Sequence, residues 1–287
     1  MNLRLFFSSA ALALVLISPG SAATTFLPTG AVNVDKALAI RGGAGPLDVD
    51  LTAKAATGLF GLQGIFNYLA PEKHHEAYCL KDNADGLAIL MSMGAGSIFL
   101  AFGVASYFSL FQGMPALKAC GAGLVASCVD NIRCILNDTA SKNGLASGGQ
   151  FFFLFINSLA AFAFLSEASY AETVGKAFGA WLIVSCLHGR LAPAACLKAW
   201  GFDGDASESA ILYTKTLGQS GVALGIFIAS IANGAELTTA IGYFSAAILL
   251  SMVEMLASGY FEEIEVSKDK LYPWLAMLIA FAGTLAV

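Results

Sequence analysis

Seven polar side chains stand within or at the ends of long apolar stretches of the chain: Asp130, Asn131, Arg133, His188, Arg190, Lys215 and Glu254. Charged groups are costly in hydrocarbon, so inside a membrane span they mark candidate sites for a substrate, an ion or a proton. Glu254 is expected about seven residues from the end of its span, roughly 10 Å deep at 1.5 Å per residue. The alternative is structural pairing, or extension of Arg133 and Lys215 to the membrane surface.

Catalytic and metal-binding patterns are weak. His188 and Arg190 end a predicted helix and are expected at the membrane surface, as a candidate interface site. His74-His75-Glu76 lacks the spacing that brings metal ligands together, so we expect a solvated loop and no metal site. A lipid-modifying enzyme needs convergent polar groups, and the sequence offers only His188, Asp130 and Glu254. No cofactor is expected, and an enzyme is not favoured.

The composition determines which elements position these residues. Hydrophobic residues make up 57% of the chain and charged residues 12%, with a mean hydropathy of +0.72. An ordinary soluble domain is about 25% charged. Several apolar blocks exceed the roughly 18 residues that span a bilayer. The net charge of −5 is spread over short loops and gives no basic patch for nucleic acid. We expect a polytopic membrane protein surrounded by membrane lipids.

The chain contains an internal repeat. Leu69-Ala70-Pro71 and Leu191-Ala192-Pro193 are each followed by a polar loop and then by a series of four glycines. The two series keep the same spacing apart from one residue, and they are Gly96, Gly103, Gly113, Gly121 and Gly218, Gly225, Gly234, Gly242. This pattern indicates a duplication of about 120 residues.

The repeat suggests partners for the charged residues. Arg133 aligns with Glu254, so these opposite charges are predicted to meet across the symmetry axis. Lys215 is a competing partner for Glu254, because a helical hairpin places the two at a similar depth. Asp130 and Arg133, three residues apart on one helix, can also satisfy each other locally.

The apolar runs predict an all-α protein with eight transmembrane helices. Four helices fall in each of two repeats, 53–170 and 171–287. Because four is even, both copies enter the membrane in the same direction, and the repeat is predicted to be parallel. The predicted spans are 53–70, 86–111, 114–136, 149–170, 174–191, 210–232, 236–261 and 271–287.

The N-terminal region is predicted to direct the chain to its membrane. Residues 1–23 combine Arg4, an apolar run and the small-residue site Ser21-Ala22-Ala23, which is typical of a signal peptide. The alternative is an uncleaved anchor that adds a ninth span. Residues 24–52, rich in glycine and proline, are predicted to form a flexible extramembrane tail. We expect entry through the secretory pathway to an endomembrane or the plasma membrane, with bipartite targeting to an organelle as the alternative.

Each half resembles the DoxX-like group of small four-helix membrane proteins, here in tandem. The resemblance is carried by Leu69-Ala70-Pro71, Leu191-Ala192-Pro193 and the glycine-rich hairpins, and it covers most of residues 53–287. It implies a four-helix fold for each half and carries no single activity.

The leading functional hypothesis is a non-enzymatic protein that binds or transports a small apolar or amphiphilic molecule. Its pocket is expected between the repeats, near Arg133 and Glu254. The alternative hypothesis is a structural or accessory subunit of a larger complex with membrane-protein partners.

Overall fold

The computed structural model describes residues 47–77, 85–266 and 268–286. The predicted signal peptide, 1–23, and most of the predicted tail, 24–52, lie outside these described residues. Within the described ranges the regular structure is helical, in agreement with the predicted all-α class.

The described helices fall into two successions of six, one in each half of the chain. The first half contains α1 (Val49–Leu69), α2 (Pro71–Ala77), α3 (Gly86–Gln112), α4 (Ala116–Leu136), α5 (Thr139–Lys142) and α6 (Gly148–Leu165). The second half contains α7 (Ala171–Leu191), α8 (Pro193–Ala199), α9 (Glu208–Ala232), α10 (Leu237–Ala257), α11 (Tyr260–Glu263) and α12 (Lys268–Leu285). Each of the eight predicted spans coincides largely with one long helix.

Two of the helix boundaries that differ from the predicted ones have clear local causes. Helix α1 begins at Val49 rather than 53, because the Asp48 carboxylate caps it by accepting the Leu51 N–H at 2.8 Å. Helix α10 ends at Ala257 rather than 261, because Gly259 takes a left-handed conformation (φ 73°) and turns the chain into α11. Glu254 therefore lies in the last turn of α10, closer to the end than predicted.

Five described helices are long and apolar enough to cross a membrane: α3, α4, α6, α9 and α10. The bent pair α7 and α8 makes a sixth if it counts as one span. These helices indicate an integral membrane protein. Helices α1 and α12 carry more polar residues and do not reach the same hydropathy, so the eight-span arrangement remains a prediction.

The chain bends sharply at both Leu-Ala-Pro motifs. A proline lacks the N–H that would continue the preceding helix. Ala70 and Ala192, the residues before the prolines, have nearly the same backbone angles, φ −138° and ψ 54° against φ −139° and ψ 62°. In the second half the axes of α7 and α8 differ by 114°. The short helices α2 and α8 thus turn away from the ends of α1 and α7.

The close helix crossings also recur in the two halves. A Cβ atom on Gly96 would lie 2.8 Å from the backbone nitrogen of Tyr68, and one on Gly218 would lie 2.4 Å from that of Arg190. Only glycine allows backbones to approach so closely. Helices α1 and α3 therefore cross as α7 and α9 do, at corresponding positions of the aligned copies.

The two halves meet in an aromatic core. Phe60 from α1 and Phe102 from α3 are buried beside Phe244 from α10. The rings of Phe102 and Phe244 stack with centroids 3.8 Å apart, and Phe227 from α9 packs edge-on against Phe102 at 5.0 Å. Such contacts add to the stabilisation from burial. This core supports one wall of the cavity described below.

Candidate functional site

The side chain of Arg133 has its ion-pair and hydrogen-bond partners inside the first half of the chain. Its Nη2 atom lies 2.9 Å from Oδ1 of Asp130 on the preceding turn of α4, and its Nε atom donates to the Tyr68 hydroxyl at 2.9 Å. The prediction that Arg133 meets Glu254 is therefore wrong, because nearer groups already take up its charge.

Glu254 forms its ion pair with Arg190 at the end of α7. The Nε atom of Arg190 also donates to Oγ of Ser251 at 2.8 Å. Arg190 is buried, with 7% of its surface exposed. His188, two residues earlier, is exposed. The pair joins α7 to α10 within the second half.

The two charged contacts correspond to each other in the repeat. Tyr68 precedes Pro71 by the same number of residues as Arg190 precedes Pro193, and Arg133 aligns with Glu254. In each half the first long helix therefore contacts the third through these positions. Arg133 and Glu254, which the predicted repeat aligns, each pair within their own half and do not touch.

The remaining polar residues of the predicted cluster have separate partners. The Nζ atom of Lys215 lies 3.4 Å from the centroid of the Tyr260 ring, which is a cation–π contact. Glu254, for which Lys215 was a competing partner, is close enough to interact with it electrostatically. The Asn131 amide donates to the Ser127 carbonyl of its own helix at 2.8 Å. Arg190, Lys215 and Glu254 thus lie together in the second half. Asp130 and Arg133 pair in the first half, so the predicted residues form two groups rather than one centre.

A cavity of about 140 Å³ lies between the two halves, and neither Arg133 nor Glu254 is among the described residues that line it. By this measure one water molecule needs about 10–15 Å³, so the cavity has room for a small organic molecule. Its walls are mainly apolar and come from both halves. They include Phe60 and Phe99 from the first half, and Ile248, Met252 and Trp274 from the second.

One end of the cavity is polar. Nε2 of Gln63 donates to Oδ1 of Asn67 at 3.0 Å and lies 2.7 Å from Nε2 of His74. An amide nitrogen only donates, so this histidine nitrogen accepts. Burial, followed by the charge of His75, lowers the pKa of His74 to about 4, so its ring is neutral at pH 7. Its other nitrogen then carries the proton and faces the Tyr213 hydroxyl at 3.1 Å.

Asn67 has unused hydrogen-bonding capacity at this end. The residue is fully buried, and its Nδ2 atom has no acceptor among the described residues. Its Oδ1 atom already accepts from Gln63, so the amide cannot turn over without placing two NH₂ groups against each other. Buried polar groups in native proteins are rarely left unpaired, so this donor suggests a ligand.

Three other polar side chains line the cavity and are already bonded. The Thr216 hydroxyl donates to the Leu212 carbonyl at 3.0 Å, and Nε2 of Gln219 donates to the Ala247 carbonyl at 2.7 Å. Ser251 accepts from Arg190. Among the described lining residues none is aspartate, glutamate, lysine or arginine.

His74 and His75 differ from their sequence-based prediction. They lie in the short helix α2 and are 5% and 4% exposed, so the prediction of a solvated loop is wrong. The bend at Pro71 turns α2 back over the protein, where both rings contact Tyr213 on α9.

The residues of the polar end were not predicted, because the candidate sites in the sequence were based on charged side chains. Gln63 and Asn67 carry no charge, yet they are four residues apart in the mainly apolar second half of α1 and so share one face. That spacing was the available signal. The contribution of Tyr213, from the other half of the chain, required the three-dimensional arrangement.

No model of a known protein family, no curated protein and no solved structure matches this chain.

Proposed function

We propose that this integral membrane protein binds a small, mainly apolar molecule in the cavity between its halves. The observation that carries the proposal is the combination of apolar walls with a single polar end, which is the usual character of a small-molecule site. The polar end formed by Gln63, Asn67 and His74 replaces the predicted Arg133–Glu254 pair as the centre of the site. Transport would be a further step of the same binding function.

We further infer that the chain spans the membrane eight times, as two parallel four-helix repeats. The recurring bends before Pro71 and Pro193 and the recurring glycine crossings support this inference. The resemblance to the DoxX-like group, entry through a signal peptide and an endomembrane or plasma-membrane location remain proposals based on the sequence.

Native mass spectrometry can test the binding proposal. The full chain is purified in mild detergent, and small molecules released on denaturation are identified. Ile248→Phe adds a ring inside the cavity, whereas Leu250→Phe makes the same change of composition on the exposed side of α10. We expect one retained molecule in the wild type and in Leu250→Phe, and its loss in Ile248→Phe. Equal retention by both variants would refute this site.

An accessory-subunit role is the second candidate function. One observation favours it: the exposed side of α6 carries phenylalanines that a neighbouring membrane protein could cover, namely Phe151, Phe152, Phe155 and Phe162. Lipid tails would cover the same surface equally well. Partners that co-purify at fixed stoichiometry, with no retained small molecule, would favour this role over ligand binding.

A further inference from the structure

We infer that the cavity selects a neutral molecule with a carbonyl-type oxygen on an apolar body, and that Asn67 donates a hydrogen bond to this oxygen. The inference rests on the proposed binding function and specifies its ligand class.

The available donor defines the polar part of the ligand. Nδ2 of Asn67 has no acceptor among the described residues, while its Oδ1 atom is held by Gln63. Gln63 is in turn fixed by its contact with His74. This series of hydrogen bonds leaves the amide nitrogen of Asn67 as a donor without an acceptor at the end of the cavity. A carbonyl oxygen is the simplest group that accepts from this donor without bringing a charge.

The lining explains why the ligand should be neutral. No lysine, arginine, aspartate or glutamate is among the described residues that line the cavity. The ion pair of Arg190 with Glu254 contacts the wall through Ser251, and each member of the pair already has its partner. A carboxylate or ammonium group would therefore lose its hydration without gaining a counter-charge.

The walls favour a flat apolar body. Phe60, Phe99 and Trp274 line the cavity together with the flexible side chain of Met252. Aromatic rings offer both large contact areas and stacking geometries, and methionine adapts to irregular shapes. A bicyclic aromatic ketone is therefore a suitable probe.

Two matched probes test the hydrogen bond directly. 2-Acetylnaphthalene carries a carbonyl, and 2-isopropenylnaphthalene replaces its oxygen with CH₂ at nearly the same shape. Binding to the full chain in lipid nanodiscs is measured by equilibrium dialysis, with protein-free nanodiscs as background. Comparison of the wild type with Asn67→Leu, for each probe separately, cancels the different partitioning of the probes into lipid.

The expected result is selective. Asn67→Leu should weaken 2-acetylnaphthalene binding about tenfold, the size of one net hydrogen bond, and should leave 2-isopropenylnaphthalene unchanged within about twofold. Retained binding of the second probe also shows that the variant is folded. Asn157→Leu makes the same substitution at another buried asparagine that is not part of the cavity lining, and should affect neither probe. The anion 2-naphthoate should bind at least tenfold more weakly than the ketone.

The failures are distinguishable. If neither probe binds above background, or if Ile248→Phe leaves both unaffected, the proposed function falls and this inference with it. If both probes bind in the cavity but Asn67→Leu weakens them equally or not at all, only the assignment of Asn67 and the carbonyl is overturned. Tighter binding of 2-naphthoate than of the ketone would overturn the neutral-ligand class.

Discussion

The ion pair of Arg190 and Glu254 should respond very differently to the loss of each partner. The Arg190 side chain is 8% exposed, whereas that of Glu254 is 48% exposed. In Glu254→Met the guanidinium stays charged, because arginine is not deprotonated in proteins, and it remains buried with Ser251 as its partner. In Arg190→Met the remaining carboxylate is half exposed and can be hydrated.

The expected magnitudes follow from this difference in burial. Removal of one partner from a fully buried pair costs about 3–5 kcal/mol. Ser251 still accepts from Arg190 at 2.8 Å, and the pair is open on one side, so we expect about 2–3 kcal/mol for Glu254→Met. Exposed ion pairs contribute about 0–1 kcal/mol, so Arg190→Met should cost about 1 kcal/mol. The double variant should be more stable than Glu254→Met alone.

The assay is unfolding of the purified protein in detergent micelles, followed by circular dichroism during a denaturant titration. Lys118→Met serves as a control, because its pair with Glu167 is solvent-exposed on both sides and should contribute less than about 1 kcal/mol. If Arg190→Met destabilises the protein as much as Glu254→Met or more, the argument from the buried guanidinium is wrong.

Two further perturbations have expected outcomes in the same unfolding assay. Gly218→Ala should cost about 3 kcal/mol, because its Cβ would lie 2.4 Å from the Arg190 backbone nitrogen, whereas Gly58→Ala meets no atom within 4 Å and should stabilise α1 by up to about 1 kcal/mol. Equal effects would contradict the close crossing. For His74, the folded pKa of about 4 lies below the unfolded value of about 6.5, so stability should fall by about 3 kcal/mol as the pH drops from 6.5 to 4. His74→Gln should remove this part of the pH dependence, and an unchanged profile would refute it.

Five of the long helices, α3, α4, α6, α9 and α10, could be predicted from the sequence because each one is a long apolar run. The errors at the ends of α1 and α10 have local causes that a hydropathy pattern does not contain. Asp48 caps α1 through a single side-chain hydrogen bond, and Gly259 ends the extension of α10 by taking a positive φ. Both are short-range signals, and capping rules applied residue by residue could have found them.

The site was harder to predict, because the candidate residues in a membrane span were the charged ones. Arg133 and Glu254 are costly in hydrocarbon and were chosen for that reason, yet each has a partner in its own half of the chain. The polar end of the cavity uses neutral amides. Asn67 gives no strong signal in a sequence, since only the arrangement around it leaves its amide nitrogen without an acceptor.

The two halves of the chain differ at the positions of the polar end. At the positions that the predicted repeat aligns with Gln63, Asn67 and His74, the second half has Ser185, Gly189 and Cys196. Gly189 has no side chain to offer, and a Cβ added there would already touch the backbone of α9 at about 3.5 Å. The bends and the helix crossings thus recur in both halves, while the side chains that form the polar end do not. A fold with two similar halves can therefore carry one asymmetric binding site, because the backbone geometry repeats and the side-chain chemistry does not.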